Sequence, residues 1–292
     1  MSAVDPRSDG GGEPLTHAAR MRGRILRSNF VRIGFSLSFL LTLMALVGPY
    51  VLDVDPTQMN VRSILKPPSA EFPFGTDAFG RDVMTRVVYG TRISLLVGFA
   101  VAGISMLAGL VIGMVSALYR GVDGVLMRAM DMLMAFPAIL LAIGILTVLG
   151  PQLSNIIIAL SIVYTPRSAR VVRGVVLGLK EEVYVDAARA LGTTDVRLVL
   201  KHLLPNVMPS LTVQQTFVFA AAVLAEAALN FLGVGVPADV PTLGGILSDA
   251  RTQLRYAPWL SLFPGVLISL LVLGFNLLGD GLRDVLDPRM RL

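Results

Sequence analysis

Two aspartates in one short segment have the spacing in this sequence that best suits acid–base chemistry. Asp77 and Asp82 lie on either side of Gly80 in the segment FGTDAFGRD, and a pair of carboxylates can act as general acid and general base. Such a site needs a histidine, a cysteine or a further acid nearby, but the chain has no cysteine and its two histidines are His17 and His202. We therefore favour a structural role, in which the carboxylates stand at a turn and face the positive end of a helix dipole.

Nucleotide chemistry is not expected of this chain. A phosphate-binding loop contains the motif Gly-x4-Gly-Lys-Ser/Thr, in which the backbone amides and the lysine hold the nucleotide. The chain has three lysines, Lys66, Lys180 and Lys201, and none of them follows a glycine. The absence of cysteine also excludes a thiolate metal site and a thiol nucleophile. We expect no catalytic residue, no bound cofactor and no metal in this chain.

The longest polar interruption in the C-terminal two-thirds of the sequence is the segment 181–205, EEVYVDAARALGTTDVRLVLKHLLP, which we term the polar stretch. Its first half has the spacing of a short amphipathic helix, with Asp186 on the polar side. The opposite face consists of Tyr184, Ala187, Ala188 and Leu191. Gly192 then supplies a C-cap, because a residue without a side chain can turn left-handed.

A second short helix is predicted in the same stretch. Thr194 is suited to cap its N-terminus, and Pro205 is expected to end it, because the ring removes a donor and clashes with the preceding turn. One face consists of Val196, Val199, Leu200 and Leu203. The two helices, 181–204, are too polar to cross a bilayer and are typical of a docking element. A DNA-binding helix-turn-helix has a similar pattern, but the apolar segments on both sides argue against it.

The rest of the chain is apolar enough for an all-α integral membrane protein. Of the 292 residues 54% are hydrophobic and 15% are charged, whereas a soluble domain carries roughly a quarter charged residues. Residues 1–29 are predicted to form a flexible cytoplasmic tail, and 30–292 the membrane domain. Apolar runs long enough to cross a hydrocarbon core of ~30 Å predict six spans, at about 33–52, 93–119, 132–149, 153–176, 206–231 and 256–279.

The distribution of basic residues orients these spans. Six spans place both termini on one side of the membrane, and the segments on that side hold 18 of the 25 Lys and Arg residues. By the positive-inside rule, both termini and the polar stretch are cytoplasmic. Lysines and arginines on that side meet anionic lipid headgroups, so membrane lipid and no nucleic acid is the expected partner of the basic charge.

Four motifs along the chain carry a family resemblance. The segment 75–82, which we term the outer segment, contains Gly75, Thr76, Asp77, Gly80, Arg81 and Asp82. The polar stretch contains Asp186-Ala187-Ala188-Arg189-Ala190-Leu191-Gly192 and then Leu203-Leu204-Pro205. A third motif contains Glu226, Phe231, Leu232, Gly233 and Gly235, and a fourth covers 276–289. Together they resemble the dipeptide/oligopeptide/nickel family of bacterial ABC-importer permeases, and within it the C-type subunit, from about residue 30 to the end.

Four positions depart from the family pattern. Asp186 stands where the EAA loop of these permeases usually has Glu, which keeps the negative charge but shortens its reach. Asn230 replaces the common Ser, and Thr242-Leu243 stands where Ser-Trp is frequent. These changes leave the resemblance intact.

The resemblance implies a type I ABC importer fold and a transport function. The chain would form half of the translocation pathway for peptides or similar small solutes, beside a second, B-type permease subunit. One or two cytoplasmic ABC ATPases would hydrolyse ATP, and the polar stretch would be the coupling helix that seats in a groove of the ATPase. An extracytoplasmic solute-binding protein would deliver the substrate, and the location would be the bacterial cytoplasmic (inner) membrane.

A self-contained secondary transporter is the alternative. It requires ionisable residues on a path through the membrane, and often shows internal repeats. Glu226 is the one acid inside a predicted span, and no repeated half is visible. Because a buried carboxylate must pair or face an aqueous path, Glu226 is equally consistent with a structural pair at the outer boundary and with a role in transport.

Overall fold

The computed structural model describes residues 29–52 and 54–286, and this part of the chain confirms the all-α prediction. It contains no β-strand, only an isolated bridge between Thr76 and Asp82. Nearly all of the predicted tail, 1–29, lies outside the described residues. The helices are α1 (Asn29–Leu52), α2 (Val83–Leu118), α3 (Arg120–Ala135), α4 (Ala138–Leu149), α5 (Leu153–Lys180), α6 (Val183–Ala190), α7 (Asp195–Leu198), α8 (Leu204–Phe231), α9 (Leu243–Ala250) and α10 (Trp259–Leu286).

Four of the described helices are long and apolar enough to cross a membrane. They are α1, α2, α10 and the continuous helix Asp195–Phe231. The bent pair of α3 and α4 makes a fifth if it is one span. α5 has the required length, with 28 residues, but Arg167 and Arg170 interrupt its apolar run. By length and composition the described residues therefore hold four or five spans, and the predicted span 153–176 stays a prediction.

The predicted span 132–149 is not one continuous helix. The chain bends by 95° between α3 and α4, and α3 begins at Arg120, before the predicted span. Phe136, at the break, has φ −88° and ψ 141°, because the ring of Pro137 disfavours helical backbone in the residue before it. α4 has 12 residues, or about 18 Å of helix, which is too short to cross the hydrocarbon core alone.

Capping side chains, which hydropathy does not detect, set the start of two helices. α2 begins at Val83, ten residues before the predicted span 93–119. The Oδ2 of Asp82 caps it by accepting hydrogen bonds from the backbone N–H of Thr85 at 2.9 Å and from its hydroxyl at 2.5 Å. α9 lies between the predicted spans 206–231 and 256–279 and is capped by the hydroxyl of Thr242. Both helices thus begin in segments between the predicted spans.

Pro205 does not end the second short helix, contrary to the prediction. α7 continues through one turn of π-helix, Val199–Leu203, directly into α8, and Pro205 lies in the first turn of α8. A π turn pairs each N–H with the carbonyl five residues back, and this wider turn accommodates the ring that would clash in a regular α-helix. The polar stretch is therefore continuous with a helix long enough to cross a membrane.

Two apolar cores hold these helices together. The larger core joins α1, α2, α4, α5, α8, α9 and α10, and includes the stacked rings of Phe219 and Phe275, whose centroids are 3.6 Å apart. The smaller one, which we term the second core, consists of Met114, Ala117, Val172, Val176, Val185, Ala188, Leu198, Leu203, Val207 and Leu211. It packs the polar stretch against the last turns of α2 and α5 and the first turns of α8.

Candidate functional site

The first helix of the polar stretch ends as the sequence predicts. The N–H of Gly192 donates to the carbonyl of Arg189 at 2.9 Å, and the N–H of Thr193 donates to that of Ala188 at 3.1 Å, which is a Schellman turn. Gly192 has φ +78°, a left-handed conformation that costs a residue with a Cβ about 1–2 kcal/mol. Thr194 has the extended backbone of an N-cap, but its side chain makes no capping hydrogen bond. The turn sets the angle between α6 and α7.

The face of α6 that packs differs from the predicted one. Within the predicted apolar face only Ala188 is buried, and Val185 joins it in the second core. Leu203, predicted as a contact residue, is fully buried, so it supports the stretch from inside the chain. Both sides of this short helix carry apolar residues, and periodicity therefore cannot identify the side that packs.

The other side of the polar stretch leaves large apolar side chains uncovered. Leu191 is 86% exposed and Val196 is 68% exposed. The exposed apolar residues, which we term the docking residues, are Val183, Tyr184, Leu191, Val196 and Leu200. Of the other predicted contact residues, Asp186, Ala187 and Pro205 are exposed and Leu204 is half-buried. Uncovered apolar side chains grouped in one element mark a surface that another molecule covers.

The outer segment 75–82 folds around a buried ion cluster. Asp77 Oδ2 accepts hydrogen bonds from Nε of Arg81 at 2.6 Å and from Nη1 of Arg86 at 2.5 Å. The carboxylate of Asp249, in α9, lies 3.3 Å from Arg81 and 3.5 Å from Arg86. Two arginines thus face two aspartates, and the cluster ties the outer segment and the start of α2 to α9. Sequence reasoning missed Arg86 and Asp249, because no local spacing pairs residues so far apart in the chain.

Close packing in the outer segment depends on two glycines. Gly75 and Gly80 have φ of +73° and +72°, and a Cβ on Gly80 would lie 1.9 Å from the carbonyl oxygen of Asn60. Thr76 is fully buried and donates its hydroxyl to a backbone carbonyl, while its own carbonyl accepts from Nε1 of Trp259 at 3.2 Å. Asp82 caps α2, in line with the predicted place at a helix N-terminus, whereas Asp77 has a different structural role, in the ion cluster with two arginines.

Glu226 is fully buried and is paired without a cation. Its Oε2 accepts from the hydroxyl of Ser94 at 2.8 Å, and its Oε1 accepts from Nδ2 of Asn230 at 2.5 Å. The Oδ1 of Asn230 in turn accepts the N–H of Val236 at 2.9 Å. Both carboxylate oxygens are thus engaged with neutral groups of the same chain. This arrangement favours the structural pair over the secondary-transporter alternative.

The motif after the buried glutamate closes α8. Phe231 is its last residue, Leu232 caps it and is exposed, and Gly233 makes the left-handed turn that follows. Gly235 then passes directly against the side chain of Asn230. The asparagine that replaces the family's serine is therefore long enough to join α8 to the segment leading to α9.

A polar connection between three helices was missed by sequence reasoning. Gln215 of α8 accepts a hydrogen bond from the hydroxyl of Ser105 in α2 at 3.2 Å and donates to the hydroxyl of Ser168 in α5 at 2.9 Å. All three side chains are buried. Serine and glutamine join membrane helices in this way, but a single polar residue in an apolar run does not show which helix it faces.

None of these groups is arranged for catalysis. Three of the acids singled out from the sequence, Asp77, Asp82 and Glu226, are engaged in ion pairs, a helix cap or buried hydrogen bonds. Across residues 29–52 and 54–286, no group of three or more His, Asp or Glu side chains is placed to hold a metal ion. The arrangement is suited to joining helices and to presenting the docking residues.

The chain is similar in sequence to known transport proteins. A Brucella abortus protein, named provisionally as a peptide transport system permease, is 49% identical over 284 residues, covering 97% of this chain and 95% of the relative. The dipeptide transport system permease DppC of Alkalihalophilus pseudofirmus is 46% identical, covering 85% and 82%. The oligopeptide transport system permease OppC of Bacillus subtilis is 41% identical, covering 91% and 88%.

The fold is also similar to a solved one. A chain of the MetNI methionine ABC transporter in an inward-facing conformation superposes with a TM-score of 0.58 at 22% identity, covering 70% of this chain and 98% of that one. A family model described as "Binding-protein-dependent transport system inner membrane component" matches residues 109–292. The chain therefore belongs to the family of inner membrane components of binding-protein-dependent transport systems, as its motifs predicted.

Proposed function

We propose that this chain is a transmembrane subunit of an ATP-driven importer, and that it forms half of the translocation pathway for peptides or similar small solutes. The support for the substrate class is that its relatives are named as permeases of peptide, dipeptide and oligopeptide transport systems. The sequence has no Gly-Lys pair for a phosphate-binding loop. Cytoplasmic ATPase chains, which hold the ATP and Mg²⁺, supply the energy.

The polar stretch is the part of this subunit that contacts the ATPase. The observation that carries this assignment is its two-sidedness: one side is locked into the second core, and the other exposes the docking residues. Because the polar stretch packs against α2, α5 and α8, a partner that displaces the polar stretch also displaces these helices. Asp186, also exposed, adds a charge to the contact.

The complete importer contains further chains. A second, B-type permease supplies the other half of the pathway, and one or two kinds of ATPase bind from the cytoplasm. An extracytoplasmic solute-binding protein delivers the substrate, in line with the family's description as part of binding-protein-dependent systems.

The subunit lies in the bacterial inner membrane with the polar stretch and both termini in the cytoplasm, on the strength of the basic residues. The chain has no cysteine of its own, so a single introduced one reports its side. Thr194→Cys should react with an impermeant thiol reagent only after the cytoplasm is opened, and Ser69→Cys should react in intact cells. Both positions are exposed. Labelling of Thr194→Cys in intact cells would contradict the cytoplasmic location of the polar stretch.

The docking assignment is tested by placing a charge on an exposed valine. Val196→Asp should abolish co-purification of the ATPase and uptake of a radiolabelled dipeptide, because a carboxylate would be buried without a partner in the contact. Val61→Asp is the matched control, since Val61 is 81% exposed, between α1 and α2, and lies far from the polar stretch in sequence. Membrane levels of both variants should match the natural chain. If the Val196→Asp chain still co-purified fully with the ATPase, the polar stretch would not be part of the contact with the ATPase.

A further inference from the structure

A single residue, Tyr119, joins α2 to α3, and its backbone hydrogen-bonds to both helices: its N–H donates to the carbonyl of Val115 at 3.0 Å, and its carbonyl accepts from the N–H of Asp123 at 3.2 Å. Tyr119 has φ −115° and ψ 99°, and its side chain makes no capping hydrogen bond to α3. α3 contributes no residue to the second core, which holds the ends of α2 and α5 against the polar stretch. Something other than apolar packing in that core must therefore set the direction of α3.

Asp123, in the first turn of α3, makes the connection. Its Oδ1 accepts from Nε of Arg173 at 2.7 Å and its Oδ2 accepts from Nη2 at 2.6 Å, a bidentate pair with α5. The hydroxyl of Ser116, in the last turn of α2, also donates to Asp123 Oδ1. One carboxylate thus binds three helices at a point where α2 and α5 both enter the second core.

The same point is held from the end of α5. Nζ of Lys180, the last residue of α5, donates to the carbonyl of Ala117 at 2.8 Å. Ala117 is itself part of the second core, beside Val185 and Ala188 of α6. The ends of α2 and α5 and the polar stretch therefore form one block, and Asp123 attaches α3 to that block.

A second ion pair between α3 and α5 is weaker, because it is more exposed and has one hydrogen bond in place of two. Arg170 Nη2 lies 2.5 Å from Asp131 Oδ1, with both side chains about half-exposed and a single hydrogen bond. Exposed pairs of this kind contribute little, whereas bidentate arginine–carboxylate pairs are stronger and fix geometry. The chain thus contains its own matched control, two turns further along the same helix.

We propose that Asp123 is a positioning residue that clamps α3 to the block carrying the polar stretch, so that α3 and α6 move as one body when the ATPase acts. The proposal rests on the proposed function, because it assigns a path to the motion that the ATPase imposes. Beyond α3 the chain bends by 95° into α4. Displacement of the polar stretch therefore reaches α4 through α3 as well as reaching α8 through the continuous helix.

The test measures the distance between α3 and α6 in the assembled transporter. Arg128→Cys in α3 and Arg189→Cys in α6 are both exposed positions, and spin labels on them report the distance by double electron–electron resonance, with cysteines of the partner chains replaced. With Asp123 present, we expect one distance that is the same without nucleotide and with bound ATP. Asp123→Asn should add a second distance population and lower the ratio of dipeptide uptake to ATP hydrolysis.

Two further variants separate a clamp from a merely structural residue. The exchange Asp123→Arg with Arg173→Asp should restore the single distance and the uptake ratio, and Asp131→Asn should leave both unchanged. A natural chain whose distance changes with ATP, or an Asp123→Asn chain that keeps the single distance, would overturn the proposal. Failure of the natural chain to co-purify with an ATPase would count instead against the proposed function, and the nucleotide-free comparison of the variants would still decide the clamp.

Discussion

Replacing Gly192 by valine tests whether the angle between α6 and α7 matters for coupling. Gly192 has φ +78°, and nothing lies within 4 Å of a Cβ built on it. The substitution therefore causes no clash, and its effect arises from the backbone alone. A β-branched residue is strongly disfavoured at this φ, so the turn must either remain strained or open.

The free-energy cost of Gly192→Val is comparable to the stabilisation that packing gives to α6. A left-handed residue with a Cβ costs about 1–2 kcal/mol, and opening the turn instead gives up two hydrogen bonds of about 0.5–1.5 kcal/mol each. The main apolar anchor of α6 is Val185, and full burial of a valine contributes about 1.5–3 kcal/mol. Since about 1.4 kcal/mol changes an equilibrium tenfold, we expect the population of the displaced form of α6 to rise about five- to thirtyfold.

Co-purification of the ATPase and uptake of a radiolabelled dipeptide should both fall in Gly192→Val, at unchanged membrane levels, because bilayer insertion depends on apolar runs that the change does not touch. Gly192→Asn should be much milder, since asparagine tolerates the left-handed region. Gly178→Val is the matched control, because Gly178 also has free space around it but lies inside α5. Full activity of Gly192→Val, or an equal loss in Gly178→Val, would refute the reasoning.

Three further predictions concern the acids of the described chain. Asp77→Asn leaves two buried arginines without their main partner and should lower the free energy of unfolding by about 3–5 kcal/mol, measured as a lower thermal unfolding temperature in detergent. Asp249→Asn should lower it much less, because the side chain of Asp249 is 45% exposed. Asp82→Ala removes the cap of α2 and should cost about 1 kcal/mol in the same assay, while Asp82→Ser should restore the stability. Glu226→Gln can keep both buried hydrogen bonds and should transport normally. Glu226→Leu leaves buried polar groups unpaired, and each should lower the stability of the chain by about 1–3 kcal/mol. A stable Glu226→Gln chain without uptake would show that transport needs the carboxylate.

Features that depend on neighbours in sequence were predictable. The all-α membrane class follows from apolar runs and a shortage of charge, and the four motifs led to the family before any contact was known. The turn at Gly192 was predictable for a local reason, because a glycine after a short amphipathic helix is the residue that can adopt positive φ. Asp82 was predictable as a turn residue before a helix, although the start of α2 at Val83 was not.

Local pattern failed wherever a second helix decides the outcome. Pro205 looks like a stop signal, yet a π turn carries the chain through it into α8. Periodicity found an apolar face on α6, but Val185 and Ala188 pack while Leu191 is left outside, because the second core accepts only the side that faces α2 and α5. The bend at Pro137 was missed since the apolar run continues unbroken on its far side.

The polar connections between helices were decided by the tertiary structure alone. The pairs Arg81 with Asp249, Glu226 with Ser94 and Asp123 with Arg173 each join residues on different elements. Composition places such side chains in the chain and hydropathy shows that burying them is costly, so each must find a partner. Which partner it finds depends on how the helices cross, and that is settled by packing over the whole bundle and not by any stretch of sequence.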